Sequence, residues 1–231
     1  MKKETVLITG SSRGLGEELA LVFAGNKHDM ILHGRNKEDL ARVKEKVIKT
    51  GVNCETIAGD LRLDETIEEL NRISTRENVS VLINNAGISL ISPGSEEEMT
   101  LPLNEISDEQ IDDILIINLI APVKLTKRLY TLFQDIGHGT VININSLAGL
   151  ELQELKSIYG TSKWGLRGFT DTFRLEADKL GVRVIGVYPS RIKTKPNFTY
   201  GMEPREVAEK IYAAYADSSD NEVIIDGRPG K

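Results

Sequence analysis

The sequence predicts an α/β fold: a doubly wound, mainly parallel, seven-stranded sheet with helices on both faces. Three observations predict it. Short β-branched runs alternate with longer segments of helical pattern. The runs read as continuous apolar stretches, as strands do when both faces of a parallel sheet are covered. Finally, 231 residues of 40% apolar composition, with no low-complexity linker, suit one large domain spanning residues 1–231.

Taken in order, the strand candidates are TVLITG (5–10), DMILHG (29–34), NCETIAGD (53–60), VSVLINNAG (79–87), GTVININS (139–146), VRVIGVYP (182–189) and EVIIDG (222–227). After the first, Leu15, Leu19, Val22 and Phe23 recur at helical spacing while Glu17 and Glu18 face away. The second helix runs from about Asn36 to Lys49, buries Leu40, Val43 and Val47, turns a basic face to solvent and closes at Gly51. Residues 114–121 are apolar except for Asn118, so this helix should be covered on more than one side, a second subunit being the favoured cover. A helix carrying Trp164, Leu166 and Phe169 is the other candidate contact, and the pair suggests a homodimer or homotetramer. The last helix starts near Glu203 and Pro204.

Charge and composition remove several function classes. A net charge of −6 and the lack of a basic stripe argue against a nucleic-acid partner. No apolar run reaches the ~18 residues of a membrane span, and Val6 to Ile8 is too short for a signal-peptide core. The lone Cys54 excludes an internal disulfide, and no metal-ligand spacing is present, so the expected chemistry is metal-free and cytoplasmic.

The first strand leads into TGSSRGLG (9–16) and directly into a helix. Gly10 permits the turn, Gly14 lets the backbone approach a ligand, and Gly16 lets helix and strand lie close, while the N–H groups at the helix start face an anion. This marks a dinucleotide site, with Ser12, Arg13 and Leu15 counted among its contacts; a merely tight strand-to-helix turn is the structural alternative. The second strand ends in HGRN (33–36), where an acid would bind a ribose 2′-hydroxyl. No acid is there. Arg35, next to Asn36, together with Arg13, suits a 2′-phosphate, so NADP(H) is expected over NAD(H), unless both arginines are merely solvated. Further on, YGTSK (159–163) places Tyr159 and Lys163 on one helix face, an arrangement that ordinary helix surfaces also show.

With TGSSRGLG, NNAG (84–87), Asn118, Ser146 thirteen residues before Tyr159, and Lys163 four after it, the whole chain resembles the short-chain dehydrogenase/reductase family. The resemblance implies a Rossmann-like fold and an NADP(H)-dependent carbonyl reductase or alcohol dehydrogenase. A phenol with an ordinary pKa of ~10 is a poor acid near neutrality, and a neighbouring ammonium lowers that value. Tyr159 would exchange the proton, Ser146 hold the substrate oxygen, Lys163 tune Tyr159 and contact the nicotinamide ribose, and Asn118 hold a water in a proton relay. A buried Asn118 satisfied by neighbouring backbone is its plainer reading. By the same resemblance Asp60, followed by Leu61, would meet the adenine amino group, with a solvated turn as the alternative. Asn85, Ala86 and Gly87 would line the adenine-side ribose, with Asn84 structural. Pro189, Ile192 and Thr194 would lie along the carboxamide and diphosphate.

Two features depart from the family pattern. Ser190 stands where glycine is usual, which leaves that turn less free to adopt positive φ. The lid region, 195–202, is short, which predicts an open cleft or one closed by another subunit. Residues 88–110 are longer than their counterpart, with Glu96 to Glu98 as a solvated rim or a screen against anions. The wall around the reacting carbon is expected from Ser89, Leu90, Leu147 and Leu152, mostly apolar. The substrate is thus a small-molecule ketone, aldehyde or alcohol of open identity. A non-catalytic dinucleotide-binding regulatory or scaffold protein is the competing reading, and a nucleotide-sugar epimerase ranks last because its TGxxGxxG loop and larger C-terminal domain are missing.

Overall fold

The computed structural model describes residues 4–90, 100–194, 200–217 and 220–229. Seven strands form one sheet: β1 (Thr5–Ile8), β2 (Asp29–Gly34), β3 (Cys54–Ala58), β4 (Val79–Asn84), β5 (Gly139–Ile144), β6 (Val182–Pro189) and β7 (Glu222–Ile225). Their order is β3-β2-β1-β4-β5-β6-β7, and every neighbouring pair is parallel. The chain builds outward from β1 to β3, then returns to the other side of β1 with β4. Connections on the two sides of that junction leave in opposite directions, which opens a crevice at the carboxyl ends of β1 and β4.

Parallel pairing requires crossovers, and helices supply them: α1 (Gly14–Gly25), α2 (Lys37–Ile48), α3 (Asp64–Arg76), α4 (Asp108–Leu115), α5 (Ala121–Ile136), α6 (Ser157–Ala177) and α7 (Pro204–Ala216). Side chains alternate across the sheet, so β1 sends Val6 and Ile8 into a core shared with α1, α2 and α7, and Leu7 into a second core with α3, α5 and α6. Burial on both sides explains why β4 is buried at all six positions and reads as an unbroken apolar run. Helix ends follow local chemistry. The Asn36 side chain accepts from Asp39 N (2.9 Å) to start α2, Ser107 and Gln110 close a capping box on α4, and Pro204 opens α7.

Three readings of the sequence change here. Glu17 does not face water: it is nearly buried, held by Arg42 (2.6 and 2.8 Å) and Lys46 (2.8 Å) from α2. Burial alone would raise its pKa, but these two cations outweigh that and hold it below the usual carboxylate value. Leu166 is not a surface residue, and Phe169 is only partly exposed. Leu166 is buried, and Phe169 packs on the core and stacks on Phe173, which leaves Trp164 as the exposed member of the trio. The apolar stretch around Asn118 is no plain helix either, because Ile116–Ile120 between α4 and α5 is a π-turn. Within it Ile117 and Asn118 are buried, Leu119 lies against Gly165 of α6, and Ile120 is exposed. The proposed rim Glu96 to Glu98 and residues 195–199 of the lid lie outside the described residues.

Candidate active site

The glycine loop is packed so tightly that side chains are excluded. Gly10 has φ +66°, and a Cβ on it would lie 2.8 Å from Ala86 Cα. A Cβ on Gly16 would lie 2.1 Å from Gly10 O and 2.6 Å from Asn85 Nδ2. Gly14 sits against Thr194. Asn85 stitches the crevice together: its side chain donates to Thr9 O and Gly10 O (both 2.9 Å), while Asn85 N and Ala86 N donate to Thr9 Oγ1 (3.0 and 3.1 Å). Arg13, the N-cap of α1, makes no side-chain cap, so the first-turn N–H groups face the cleft with the helix dipole behind them.

Gly10, Ser12, Arg13, Leu15 and Gly16 all lie on the wall of a cleft of about 580 Å³. At the β2 end the wall continues through Gly34, Arg35, Asp60 and Leu61, with no acid at the strand terminus. Asp60 is clamped by Arg62 (2.6 Å), whose guanidinium also reaches Asp113, and this pairing holds its carboxyl below the usual range. The structure adds His33, which sequence reasoning passed over. It is buried, donates from Nε2 to Gly59 O (3.2 Å), and has its pKa pushed down to about 4 by burial, so it is neutral. Asn36 stands off the wall because its side chain caps α2.

At the other end the wall is formed by Asn85, Ala86, Gly87, Ser146, Tyr159, Lys163, Pro189, Ile192 and Thr194. Ser146 follows β5 and opens the 3-10 turn Leu147–Gly149, its Oγ accepting from Ala148 N (3.2 Å). Helix α6 presents Tyr159 and Lys163 one turn apart. Lys163 is 5% exposed, donates to Ile144 O (3.1 Å), and holds its Nζ 5.8 Å from the centre of the Tyr159 ring. Burial pushes its pKa down to about 8. Asn145 ties this arrangement to β5, donating to Lys163 O (3.0 Å) and accepting from Ser146 N (2.9 Å). Asn84 belongs to a buried amide chain, donating to Asn143 (2.8 Å), which donates to Thr170 of α6 (2.8 Å).

Asn118 stands behind the wall. Its Oδ1 accepts from Ile88 N (2.8 Å), and its Nδ2 donates to Ile88 O (2.8 Å) and to Ser162 Oγ (3.1 Å). The side chain therefore fixes the segment that follows Gly87 against α6. Asn118 Oδ1 and Lys163 Nζ flank the point where a Gly87 Cβ would lie, at 3.4 and 3.7 Å.

These elements sit in the order and geometry that a family comparison recognises, with a family model described as short chain dehydrogenase matching residues 4–201. The chain belongs to the short-chain dehydrogenase family. Among relatives of this family, a ketoacyl reductase from Nostoc sp. is 29% identical over 98% of this chain and 79% of its own length. A sepiapterin reductase from Chlorobaculum tepidum is 27% identical over 94% of this chain and 92% of its own. Among solved structures, a metagenomic short-chain oxidoreductase in complex with NADP superposes with a TM-score of 0.84 at 26% identity, covering 97% of each chain.

Within this family frame the two departures find their explanation. Ser190 has no positive φ; its N donates to Ile225 O (2.9 Å) and its Oγ accepts from Gly227 N (2.9 Å), so the turn is tied to the end of β7. The end of the lid region returns to the strand: Met202 pairs with Ile192, and Arg191 lies over the Tyr200 ring at 4.6 Å. The substrate wall is less apolar than the sequence suggested. Ser89 and Leu147 line it, but Leu90 is buried with Ile106 and Ile114, and Leu152 is 92% exposed. The same cleft is also lined by the polar side chains Gln153, Lys156, Arg191 and Arg228. These four come from loops and a helix end, where no periodicity marks which side chain turns inward.

Proposed function

We propose that this chain is an NADP(H)-dependent oxidoreductase that interconverts a carbonyl and a secondary alcohol, with Tyr159 as general acid and base. One observation carries the reading: a buried ammonium, Lys163, is held against the Tyr159 ring on the wall of a cleft that also presents Ser146. The names of the ketoacyl and sepiapterin reductases support carbonyl chemistry, and the NADP complex supports the cofactor.

When bound, the cofactor supplies or accepts the hydride. The chain's residues manage the oxygen and its proton. Ser146 donates a hydrogen bond that orients the substrate oxygen, and Tyr159 gives that oxygen its proton in reduction or takes one from the alcohol in oxidation. Loss of the phenolic proton leaves an anion beside Lys163, and opposite charge at that range stabilises it. Asn118 and Lys163 face the same small space beside Gly87, which suits a shared water on a path for returning the proton.

Cofactor choice follows from the β2 terminus. Arg13 and Arg35 on the wall, with Gly34 in place of an acid, favour the 2′-phosphate. Exposed Trp164 and Ile120 on neighbouring elements support a homodimer or homotetramer. No helix among the described residues is long and apolar enough to cross a membrane, and we assign the chain to the cytoplasm.

A panel of ketones and aldehydes followed by NADPH absorbance tests the reading. The parent should turn over at least one class, Tyr159→Phe should lose roughly 100-fold or more in kcat, and NADPH should bind more tightly than NADH. Equal activity in parent and Tyr159→Phe would remove Tyr159 from the mechanism and leave the scaffold reading in its place.

A further inference from the structure

Just beyond β7, Arg228 lies on the cleft wall with every nitrogen of its guanidinium engaged. Nε donates to Asp226 Oδ1 (2.9 Å), Nη1 to Glu151 Oε2 (2.7 Å), and Nη2 to both Glu151 Oε1 (2.9 Å) and Asp226 Oδ2 (2.7 Å). The backbone joins in, with Arg228 N donating to Asp226 Oδ1 (3.0 Å). A planar guanidinium forked onto two carboxylates fixes where those carboxylates stand relative to each other.

The two carboxylates belong to different loops. Asp226 is anchored on the β6 side: Ser190 N donates to Ile225 O (2.9 Å), Gly227 N donates to Ser190 Oγ (2.9 Å), and Gly227 lies against Met202, which pairs with Ile192 of the cleft wall. Glu151 belongs to the loop that runs from Ser146 to Tyr159. Arg228 therefore straps the loop after β5 to the ends of β6 and β7, beside the residues that face the substrate oxygen. That loop has little packing of its own. Residues 152–155 are all exposed, and Leu155 has φ +57°, a conformation that leucine rarely adopts. A segment with a strained residue and little buried surface keeps its place where its surroundings hold it. Because Arg228 and Glu151 are themselves partly exposed, at 38% and 40%, the fork adds little to global stability, and its effect is local.

We infer that Arg228 is a specificity-determining positioning residue: its fork onto Glu151 and Asp226 fixes the width of the cleft beside Ser146 and Tyr159 and limits the substrate to carbonyl compounds with one small substituent. The inference rests on the carbonyl-reductase reading above. In that reading a dinucleotide shares the cleft of about 580 Å³, so the room left for substrate is small and a shift of one wall changes which carbonyls fit. Arg228 acts through Glu151. With the fork in place the loop after β5 stays close; without it Leu155 relaxes, the loop moves outward, and a second bulky substituent fits.

Steady-state kinetics with ketones of rising bulk test this, using butanone, acetophenone and valerophenone with the parent, Arg228→Ala, Arg228→Lys and Glu151→Ala. The parent should prefer butanone to valerophenone. Arg228→Ala should raise kcat/KM for valerophenone relative to butanone by roughly 3- to 10-fold, the scale of one partly exposed bidentate fork, with the change carried by KM. Glu151→Ala, which leaves Arg228 in place, should move the ratio the same way, and the double variant should move it no further than either single one. Arg228→Lys should recover part of the parent's preference, and Tm should fall by no more than about 4 °C in any variant. A ratio moved by Arg228→Ala but not by Glu151→Ala would overturn the strap, by showing that Arg228 meets the substrate itself. An equal loss on all three ketones with a larger fall in Tm would overturn it by showing a merely structural role. Parent turnover of valerophenone as readily as butanone would overturn it while leaving the reductase reading intact. Turnover of no carbonyl compound at all would overturn both readings together.

Discussion

Gly16→Ala is expected to destabilise this protein, although the same exchange in a helix usually does the reverse. Alanine normally gains about 0.5–1 kcal/mol over glycine within a helix, because glycine loses more backbone freedom on folding. At Gly16 the new Cβ would lie 2.1 Å from Gly10 O, 2.9 Å from Gly10 C and 2.6 Å from Asn85 Nδ2. Two of these atoms are backbone. The third belongs to a side chain pinned by two bonds to Thr9 O and Gly10 O, so neither neighbour yields cheaply. Overpacking of this kind costs about 1–3 kcal/mol, and displacing Asn85 adds about 1 kcal/mol for each hydrogen bond lost. Against the helical gain, the net should be about 1–4 kcal/mol of destabilisation, or a fall in Tm of roughly 2–16 °C for a domain of this size. Gly168→Ala is the control: it lies inside α6, where nothing approaches its Cβ within 4 Å, and should raise stability by about 0.5–1 kcal/mol. Thermal unfolding followed by far-ultraviolet circular dichroism reads both signs, and NADPH titration reads the loop. A Gly16→Ala protein as stable as the parent, with NADPH affinity retained, would refute the close-packing account of the glycine loop.

Further expectations concern charge. Lys163 has its pKa lowered by burial to about 8, so below pH 8 the folded protein holds a proton that the unfolded chain would hold more easily. That cost is relieved as pH rises from about 8 towards the ordinary lysine value of ~10.4, where the unfolded state binds more protons and stability rises with pH. Lys163→Met should therefore be more stable than the parent at pH 7 and lose that advantage by pH 10, in urea unfolding at the two pH values, while turnover is abolished. Arg42→Ala removes a fork that holds Glu17 and also donates to Ser12 O (2.9 Å). With Arg42 itself partly exposed, the cost should be about 1–2 kcal/mol at pH 7, accompanied by weaker NADPH binding. Because the folded pKa of Glu17 is lowered, that difference should shrink as pH falls below the ordinary glutamate value, which urea titrations at about pH 7 and about pH 3 would show.

How much was legible in the sequence depended on whether a residue's role left a local mark. The strands were readable because both faces are buried, which makes runs such as Val79–Asn84 continuous, and their ends carry the glycine loop, NNAG and Ser146. The candidate pair was readable because helical spacing places Tyr159 and Lys163 one turn apart, and Ser146, Asn118 and the glycine motifs accompany them in order. Other features depend on chain-distant partners. Glu17 looks like a solvent-facing residue of α1 until α2 brings Arg42 and Lys46 against it. The π-turn at Ile116–Ile120 is a shift in hydrogen-bond register with no side-chain signature in an all-apolar stretch. Leu90 and Leu152 look alike in sequence, yet one is buried beneath the site and the other is in solvent, because the loop between β5 and α6 turns Gln153 inward instead. Lys156 was invisible for the same reason.

The central claim is that the Lys163 ammonium makes the Tyr159 phenol acidic enough to exchange protons near neutrality. Ultraviolet difference titration of the phenolate band, parent minus Tyr159→Phe, measures this directly without any substrate. The account predicts one phenolate appearing more than about one pH unit below the ordinary tyrosine value of ~10. A difference trace that rises only at pH 10 or above would contradict it.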